Sequence, residues 1–227
     1  MKRVRAIIVG VGLIAGLLPM AGMAEEAVSV GGALALLNKA GGSRAGVVLI
    51  PGGDGTLNIQ PDGTFARLRG NQLVRTRAAY PRQGITSLTI DRGVDPASAV
   101  QFLRRMVRTV VVVGTSRGTL RIPDALSAKP AGIVLTSGFL DDVKSSIGNP
   151  AALPRTLVVE HRNDSCRFTL PANVEPFKAW GGAKVQVVWL DGGKSVGNPC
   201  GGSAHHGFNG IDGAVVSAVA RFVGSLR

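Results

Sequence analysis

The sequence from residue 109 to residue 118 reads TVVVVGTSRG. Its first half, Thr109 to Val113, is a β-branched apolar run, which is typical of a buried parallel strand. Its second half, Gly114 to Gly118, has the spacing Gly-x-Ser-x-Gly, which is typical of a sharp turn from a strand into a helix. In such a turn the Ser116 side chain projects from the edge of the sheet, where it can act as a nucleophile. An ordinary glycine-containing turn has the same pattern, so the prediction depends on partner residues elsewhere in the chain.

Five further apolar runs alternate with helix-like stretches along the chain. The runs are residues 46–50, 85–90, 132–136, 156–160 and 184–190. The helical candidates are residues 68–80, 96–108, 170–180 and 211–226. This alternation is typical of a mostly parallel sheet that is covered by helices on both faces. The sequence therefore predicts an α/β fold, a three-layer α/β/α sandwich around a mostly parallel sheet of about six strands.

The segment after Ser116 contains Pro123, which lacks a backbone N–H donor and crowds the preceding helical turn. We therefore expect the helix behind the serine to be short or kinked and to restart at Asp124. Little sequence separates one predicted strand from the next, so there is no room for a large lid domain. The site at Ser116 is expected to be open.

Residues 1–24 have the pattern of an export signal. Lys2, Arg3 and Arg5 form a basic start, an apolar stretch follows from Ile7 to Leu18, and the segment ends in small residues. The apolar stretch is short for a bilayer span, although a retained membrane anchor is the alternative interpretation. The sequence predicts an export signal and a periplasmic or secreted protein.

Removing these 24 residues from the 227 leaves 203, which suits a single domain over residues 25–227 with no stable membrane span. The removal also lowers the formal net charge from +12 to +9, because Lys2, Arg3 and Arg5 leave with the segment. The arginines are spread along the chain without interleaved aromatic residues, so nucleic-acid binding is not expected.

The chain, for which export is predicted, contains two cysteines, Cys166 and Cys200. An even pair of cysteines in an oxidising compartment most simply forms a disulfide. The histidines are His161, His205 and His206, and no spacing of histidine and cysteine resembles a metal site. We therefore predict a disulfide and no metal.

A nucleophilic serine needs a base that takes its proton and an acid that orients the base. His206 precedes the last predicted helix, and Asp164 follows the predicted strand 156–160. Both lie in loops at the carboxyl ends of strands, the edge where open parallel sheets bind their ligands. The sequence therefore offers Ser116, Asp164 and His206 as a set of three.

In the order Ser, Asp, His the chain resembles the α/β-hydrolases, from about Gly46 to the C-terminus. The shared motifs are the Gly-x-Ser-x-Gly turn, His-x-x-Asp after the penultimate strand and His-Gly-Phe before the final helix. The resemblance implies an α/β-hydrolase fold with Ser116 as nucleophile, Asp164 as acid and His206 as base. It also implies cleavage of an ester or related acyl bond through an acyl-enzyme, without a cofactor.

Several residues are alternatives for these roles. His205 is adjacent to His206, but His206 directly precedes the Gly-Phe of the motif, and His161 at a strand end is expected to be structural. The alternative acids are Asp141, Asp142 and Asp191. We favour helix capping or turn formation for these three aspartates.

An oxyanion hole requires fixed N–H donors beside the nucleophile. The resemblance assigns one donor to the backbone N–H of Arg117. The other would come from residues 51–55, PGGDG, which resemble the family's His-Gly-Gly loop with Pro51 in place of the histidine. This departure leaves the second donor open between Gly53 and Asp54.

The stretch GGDGTLN at residues 52–58 also resembles the phosphate-binding loop of lipid kinases and NAD kinases. Glycine N–H groups would then bind phosphate, and Asp54 would serve the metal or the reacting hydroxyl. Residues 61–63, Pro-Asp-Gly, indicate a turn where those kinases continue into a helix. The chain also lacks room for their second β-rich domain, and an exported protein would not meet cytosolic nucleotide triphosphate.

The two cysteines bracket the candidate acid and base, since Cys166 follows Asp164 by two residues and Cys200 precedes His206 by six. We hypothesise that a Cys166–Cys200 disulfide ties the two loops together and keeps the Asp164–His206 hydrogen bond in register.

The favoured prediction is an exported serine hydrolase that acts on a small acyl substrate. A dense group of arginines favours an anionic substrate. These are Arg67, Arg69, Arg75 and Arg77. The alternative is a non-catalytic envelope or partner-binding protein on a hydrolase scaffold.

Overall fold

The computed structural model describes residues 25–227, and the signal peptide predicted over residues 1–24 lies outside them. The described residues form one eight-stranded sheet with helices on both faces, which confirms the predicted three-layer α/β sandwich. The sheet has two more strands than the predicted six. Within residues 25–227 no helix has the length and apolar character needed to cross a membrane.

The strands are β1 (Glu25–Val30), β2 (Ala33–Asn38), β3 (Ala45–Ile50), β4 (Thr86–Ile90), β5 (Thr109–Thr115), β6 (Gly132–Thr136), β7 (Thr156–His161) and β8 (Val185–Leu190). The α-helices are α1 (Gln72–Thr76), α2 (Pro96–Arg104), α3 (Ile122–Ala125), α4 (Leu140–Ile147), α5 (Val174–Gly181) and α6 (Asp212–Gly224).

The strand order across the sheet is β1-β2-β4-β3-β5-β6-β7-β8. Strands β3 to β8 pair in parallel and correspond to the six predicted runs. The two additional strands form an antiparallel hairpin at one edge, where β2 pairs with β4. The hairpin turns at Gly31 and Gly32, with φ values of 60° and 87°, a left-handed backbone that glycine adopts without a steric cost.

Side chains of the central strands alternate between two cores. Val48 and Val112 face one core together with helices α2 to α5, whereas Val47 and Val111 face the other with α1 and α6. Every residue of β3 is buried. Because full burial of one such side chain contributes about 1.5–3 kcal/mol, the centre of the sheet provides a stable base for the loops at its edge.

Helix bounds differ from the predicted ones. The predicted helix 68–80 begins only at Gln72, because Leu68 has a φ of +58° and Asn71 caps α1. The segment after Ser116 is a 3-10 helix over Ser116–Arg121, and α3 then begins at Ile122 rather than at Asp124, with Pro123 in its first turn. Proline is tolerated there because the first helical N–H groups have no intrahelical partner.

Candidate active site

Ser116 lies at the carboxyl end of β5 with a φ of +51°, a left-handed conformation that is rare and strained for a residue with a side chain. A Cβ on Gly118 would approach the carbonyl oxygen of Ile50 to 2.2 Å, and a Cβ on Gly114 would approach the backbone nitrogen of Thr119 to 3.0 Å. Only glycine fits at the Gly118 position. The strand-to-helix turn predicted around Ser116 is therefore present, and the serine side chain is partly exposed.

The conformation of Ser116 is supported by Thr119 in the following turn. The Thr119 hydroxyl donates to the carbonyl oxygen of Ser116 at 2.6 Å and accepts the backbone N–H of Phe139 at 3.0 Å. The turn is thus tied to the segment after β6, which restrains the strained residue from relaxing.

Asp164 and His206 meet at the same edge of the sheet. Their side chains are buried, and His206 Nδ1 lies 2.9 Å from Asp164 Oδ2. The other carboxylate oxygen, Oδ1, accepts the backbone N–H of Cys166 at 2.8 Å. The Thr169 hydroxyl donates to Asp164 Oδ2 at 3.1 Å, and its oxygen lies 3.1 Å from His206 Nδ1. These contacts orient the imidazole with Nε2 on the side away from the carboxylate.

Ser116 and His206 line the same cavity, which has a volume of about 200 Å³. His206 Nε2 is buried and has no hydrogen-bond partner among residues 25–227. An imidazole nitrogen in this condition is available as a proton acceptor. The other residues of the cavity wall are Gly53, Leu68, Asn71, Gln72, Thr115, Cys200, Gly202 and Gly207.

The glycine-rich loop after β3 packs directly on the serine turn. A Cβ on Gly52 would lie 2.8 Å from the carbonyl oxygen of Thr115 and 3.0 Å from Ser116 Cβ. Gly53, with a φ of +66°, lines the cavity. Asp54 is exposed, and its carboxylate accepts a hydrogen bond from Arg67 at 2.7 Å. Of the two alternatives for the second oxyanion-hole donor, Gly53 lines the cavity and Asp54 does not. Arg117, the predicted first donor, directly follows Ser116, and its side chain is exposed.

The kinase-like interpretation of residues 52–58 requires a helix directly after this stretch. The structure has no helix between the end of β3 at Ile50 and the start of α1 at Gln72. A Gln60–Thr64 turn follows the loop instead, closed by a Gln60 N–H bond to Thr64 O at 2.8 Å, with Ile59 bridging Phe65. The N–H groups of Leu57, Asn58 and Ile59 are capped by the carboxylate of Asp91. Since an anionic side chain already occupies these donors, they do not form a phosphate cradle.

The loop after β7, residues 162–170, contains Asp164 and is called the acid loop here. The loop before α6, residues 191–211, contains His206 and is called the base loop. A disulfide joins Cys166 of the acid loop to Cys200 of the base loop, with a Cα–Cα distance of 4.6 Å. The structure thus contains the disulfide expected from the sequence, and Cys200 also lines the cavity.

A second link, a hydrogen-bond network around Arg75, also holds the base loop. Arg75 of α1 binds both carboxylate oxygens of Asp212, at 2.8 Å through Nε and 2.7 Å through Nη2. Its remaining N–H groups donate to three backbone carbonyl oxygens: Gly70 at 2.5 Å, Gly202 at 3.1 Å and Gly207 at 2.6 Å. A planar guanidinium suits such a set of acceptors, and it connects the segment before α1 to the base loop.

Glu160 is buried in β7 beside the acid loop. Burial raises the pKa of Glu160 to about 9, and the nearby carboxylate of Asp164 adds to the shift. Its Oε1 accepts the backbone N–H of His161 at 3.1 Å. The Glu160 carboxyl is therefore protonated at neutral pH and adds no second negative charge to the site.

The two alternative histidines, His161 and His205, contact the backbone of the loops around the site. His161 is buried at the end of β7, where Nε2 lies 2.9 Å from Gly192 O and Nδ1 accepts the Asn163 N–H at 3.0 Å. Its ring stacks on His205 with a centroid distance of 4.3 Å. His161 therefore has a structural role, as expected, and His205 packs beside it.

The alternative acids lie away from His206 Nδ1. Asp141 and Asp142 are exposed in the first turn of α4, where carboxylates interact favourably with the helix dipole. Asp191 is exposed and pairs with Arg162 at 3.1 Å.

Sequence reasoning missed Thr169, Arg75 and Glu160. Thr169 stands five residues after Asp164 in a stretch without regular periodicity, and Arg75 appeared only as one of a group of arginines. A glutamate inside the apolar run 156–160 was a signal that could have been used, because a carboxyl in a fully buried strand needs a specific environment.

The fold of residues 25–227 is similar to that of solved α/β-hydrolase structures. A structure of an esterase/lipase from an uncultured bacterium has a TM-score of 0.61 and 14% sequence identity, over 91% of this chain and 85% of that chain. A lidless α/β serine hydrolase from Xanthomonas campestris has a TM-score of 0.61 and 14% identity, over 87% and 94% of the two chains.

A dienelactone hydrolase from Anabaena variabilis has a TM-score of 0.60 and 16% identity, over 87% of this chain and 95% of its own. At such identities the similarity establishes the fold. No protein-family model matches the sequence, and a search of curated proteins gives no match.

Proposed function

We propose that this protein is a serine hydrolase that cleaves an ester or a related acyl bond. The observation that carries the proposal is that Ser116 and His206 line one cavity while the buried Asp164, behind His206, lies 2.9 Å from its Nδ1. Ser116 is the nucleophile, His206 the general base and Asp164 the residue that orients the base and stabilises the imidazolium.

The reaction begins when His206 Nε2 takes the proton of Ser116 Oγ and the oxygen attacks the acyl carbon. The carbonyl π electrons move to the oxygen, which becomes the oxyanion of a tetrahedral intermediate. Collapse of this intermediate expels the alcohol, which receives the proton from His206, and leaves an acyl-enzyme on Ser116. Water then gives a proton to His206 and attacks the acyl carbon, and the second collapse releases the acid and reprotonates Ser116.

The backbone N–H groups of Arg117 and Gly53 are the proposed donors to the oxyanion. Arg117 follows the nucleophile directly, and the Gly53 segment is held against the turn by the close approach of Gly52 to Thr115 and Ser116. A single donor of this kind typically contributes a factor of about 10²–10³ to kcat.

The size of the cavity favours a short acyl or alcohol group. A volume of about 200 Å³ is smaller than the pockets that enclose drug-sized ligands. The arginines that suggested an anionic substrate are largely engaged elsewhere: Arg67 pairs with Asp54, Arg75 with Asp212 and Arg77 with Glu25. They therefore give no reason to prefer an anionic substrate over a neutral one.

The proposed location is the periplasm or the exterior of the cell. It rests on the signal-like sequence of residues 1–24 and on the Cys166–Cys200 disulfide, because disulfides persist in oxidising compartments.

The structural similarities also favour a hydrolase. One similar structure is an esterase/lipase and another is a serine hydrolase without a lid, so short-chain esters are suitable first substrates.

The test is the hydrolysis of 4-nitrophenyl acetate by the wild type and by Ser116→Ala, with a labelled fluorophosphonate as a second probe. We expect the variant to lose at least about 10³-fold in kcat/KM and to lose labelling, with an unchanged circular dichroism spectrum. Ser165→Ala is a matched control, because Ser165 is an exposed serine of the acid loop. Equal hydrolysis by wild type and Ser116→Ala would contradict the mechanism, and an inert, unlabelled wild type would favour the non-catalytic alternative.

A further inference from the structure

Asn71 stands immediately before α1 and caps it. Its backbone is extended, with φ of −65° and ψ of 138°, and its side-chain Oδ1 accepts the backbone N–H of Leu73 at 3.1 Å. Because that N–H is a donor, the amide oxygen must face it and the amide nitrogen must point elsewhere. The cap therefore fixes the orientation of the whole amide group.

The Asn71 amide nitrogen lies on the same side of the Gly52 segment as Ser116. Asn71 lines the cavity together with Ser116 and Gly53. Nδ2 is 3.4 Å from the point that a Cβ on Gly52 would occupy, and this same point is 3.0 Å from Ser116 Cβ. The two distances together limit the separation of Nδ2 from Ser116 Cβ to at most about 6.4 Å, which is close enough for Nδ2 and Ser116 to reach the same bound acyl group.

The capping role of Asn71 leaves its nitrogen unexplained. Helix capping uses only Oδ1, and serine, threonine or aspartate would cap equally well. The hydrogen bonds of residues 25–227 give Nδ2 no protein acceptor, although a primary amide has two N–H groups to donate. A donor in a cavity beside a serine nucleophile has its natural acceptor in the substrate.

The segment that carries Asn71 is rigid on both sides. The Asn71 N–H donates to Leu68 O at 2.8 Å, and the Asn71 carbonyl accepts the Arg75 N–H at 2.9 Å. The Arg75 guanidinium binds Gly70 O and at the same time Gly202 O and Gly207 O of the base loop. Asn71 is thus held in a fixed position relative to the loop that carries His206, which is the condition for a preorganised donor.

We propose that Asn71 is a catalytic residue whose side-chain amide donates a hydrogen bond to the oxyanion, as a third donor beside the backbone N–H groups of Arg117 and Gly53. The proposal rests on the proposed function, because the oxyanion forms only if Ser116 attacks an acyl carbon. The neutral amide supplies a dipole toward the negative oxygen without placing a positive charge near His206, whose imidazolium forms in the same step.

The test is Asn71→Ser, which keeps an N-cap acceptor for Leu73, removes the amide N–H groups and shortens the side chain. With 4-nitrophenyl acetate we expect kcat to fall about 100-fold while KM changes less than about threefold, since the bond to the oxyanion is made only in the transition state. The Kd of butylboronic acid, whose tetrahedral adduct on Ser116 carries an oxygen at the same position, should rise by a similar factor.

Asn149→Ser is the matched control. Asn149 caps the turn Pro150–Ala152 by accepting the Ala151 N–H at 2.9 Å, it is exposed, and it lies before β7 at the opposite edge of the sheet. This control is expected to keep wild-type kcat and Kd. Asn71→Asp is the second variant; it keeps the cap, replaces the donor by a carboxylate, and should lose at least as much kcat as Asn71→Ser.

An active wild type whose kcat and boronic acid Kd stay within threefold in folded Asn71→Ser or Asn71→Asp would overturn the assignment of Asn71 and leave the hydrolase intact. Failure of both variants to fold would also overturn it, because the side chain would then serve the structure. An inactive wild type, or one in which Ser116→Ala hydrolyses the ester equally well, would overturn the proposed function itself.

Discussion

The base loop is held by two links of different chemistry, a disulfide and an arginine hydrogen-bond network. The Cys166–Cys200 disulfide joins it covalently to the acid loop. Arg75 joins it to the segment before α1, because its guanidinium binds Gly70 O together with Gly202 O and Gly207 O of the base loop. The same guanidinium also binds Asp212, the first residue of α6. A disulfide acts mainly by restricting the unfolded chain, whereas a guanidinium network acts only once its acceptors have been assembled. The contributions of the two links to the stability of the base loop can therefore be separated by substituting each one in turn.

Removal of the disulfide is expected to have the largest effect. The variant Cys166→Ser/Cys200→Ser should lose about 3–4 kcal/mol in the free energy of unfolding as an upper guide, because the bridge closes a loop with a sequence separation of 34. Turnover of 4-nitrophenyl acetate should also fall, since the Asp164–His206 bond spans the two loops.

Urea unfolding of this variant gives the stability change, and kcat per folded molecule gives the catalytic change. Unchanged kcat in the folded fraction would show that the disulfide does not keep the acid and base in register. The wild type with its disulfide intact is the reference in both measurements.

Substitution of Arg75 by lysine should have the next largest effect. Lysine keeps the charge but cannot make the planar set of bonds to Asp212 and the carbonyl oxygens, so we expect a loss of about 2–3 kcal/mol. Urea unfolding measures it. The matched control is Arg67→Lys, since the exposed Arg67–Asp54 pair should contribute less than about 1 kcal/mol. Equal losses in the two variants would mean that Arg75 is only a surface ion pair.

Glu160 is buried in β7, directly before the acid loop, and its substitution tests the raised pKa of its carboxyl. The folded state holds the Glu160 pKa at about 9, above the ordinary value of 4.5, so its contribution to stability is fully present below pH 4.5 and is lost as the pH rises toward 9. The loss is at most about 1.4 kcal/mol per pH unit within this window.

Glu160→Gln cannot ionise and should gain stability relative to the wild type as the pH rises from 5 to 8, measured by urea unfolding at each pH. Glu175→Gln, an exposed position on α5, is the control and should show a constant difference. A pH-independent difference for Glu160→Gln would contradict the raised pKa.

Much of the fold follows from local patterns in the sequence. The runs that became β3 to β7 are β-branched and apolar because both of their faces are buried, whereas β8 at the edge of the sheet is only partly buried. The turn at Ser116 was recognised from its glycines, and only glycine fits at Gly118. The β1–β2 hairpin was overlooked next to the signal-like segment, although its Gly31-Gly32 pair is a turn signal.

The features that could not be predicted depend on residues far apart in the chain. Arg75 meets Asp212 across 137 positions, and Asn71 and Ser116 line one cavity although they are far apart in the chain. No periodicity in the sequence encodes such contacts, since they join polar side chains of elements that are distant in the chain. The candidate acid and base were found because each follows or precedes a recognisable element.

The position of Cys200 in the cavity wall has a practical consequence for chemical labelling. Once the disulfide is reduced, the Cys200 thiol would lie beside Ser116 and His206 while Cys166 is buried. An alkylating reagent would then react first at Cys200 and place its substituent where the acyl group would bind. A cysteine that joins two loops in the oxidised protein would thus become, in the reduced protein, an attachment point for covalent inhibitors and fluorescent probes.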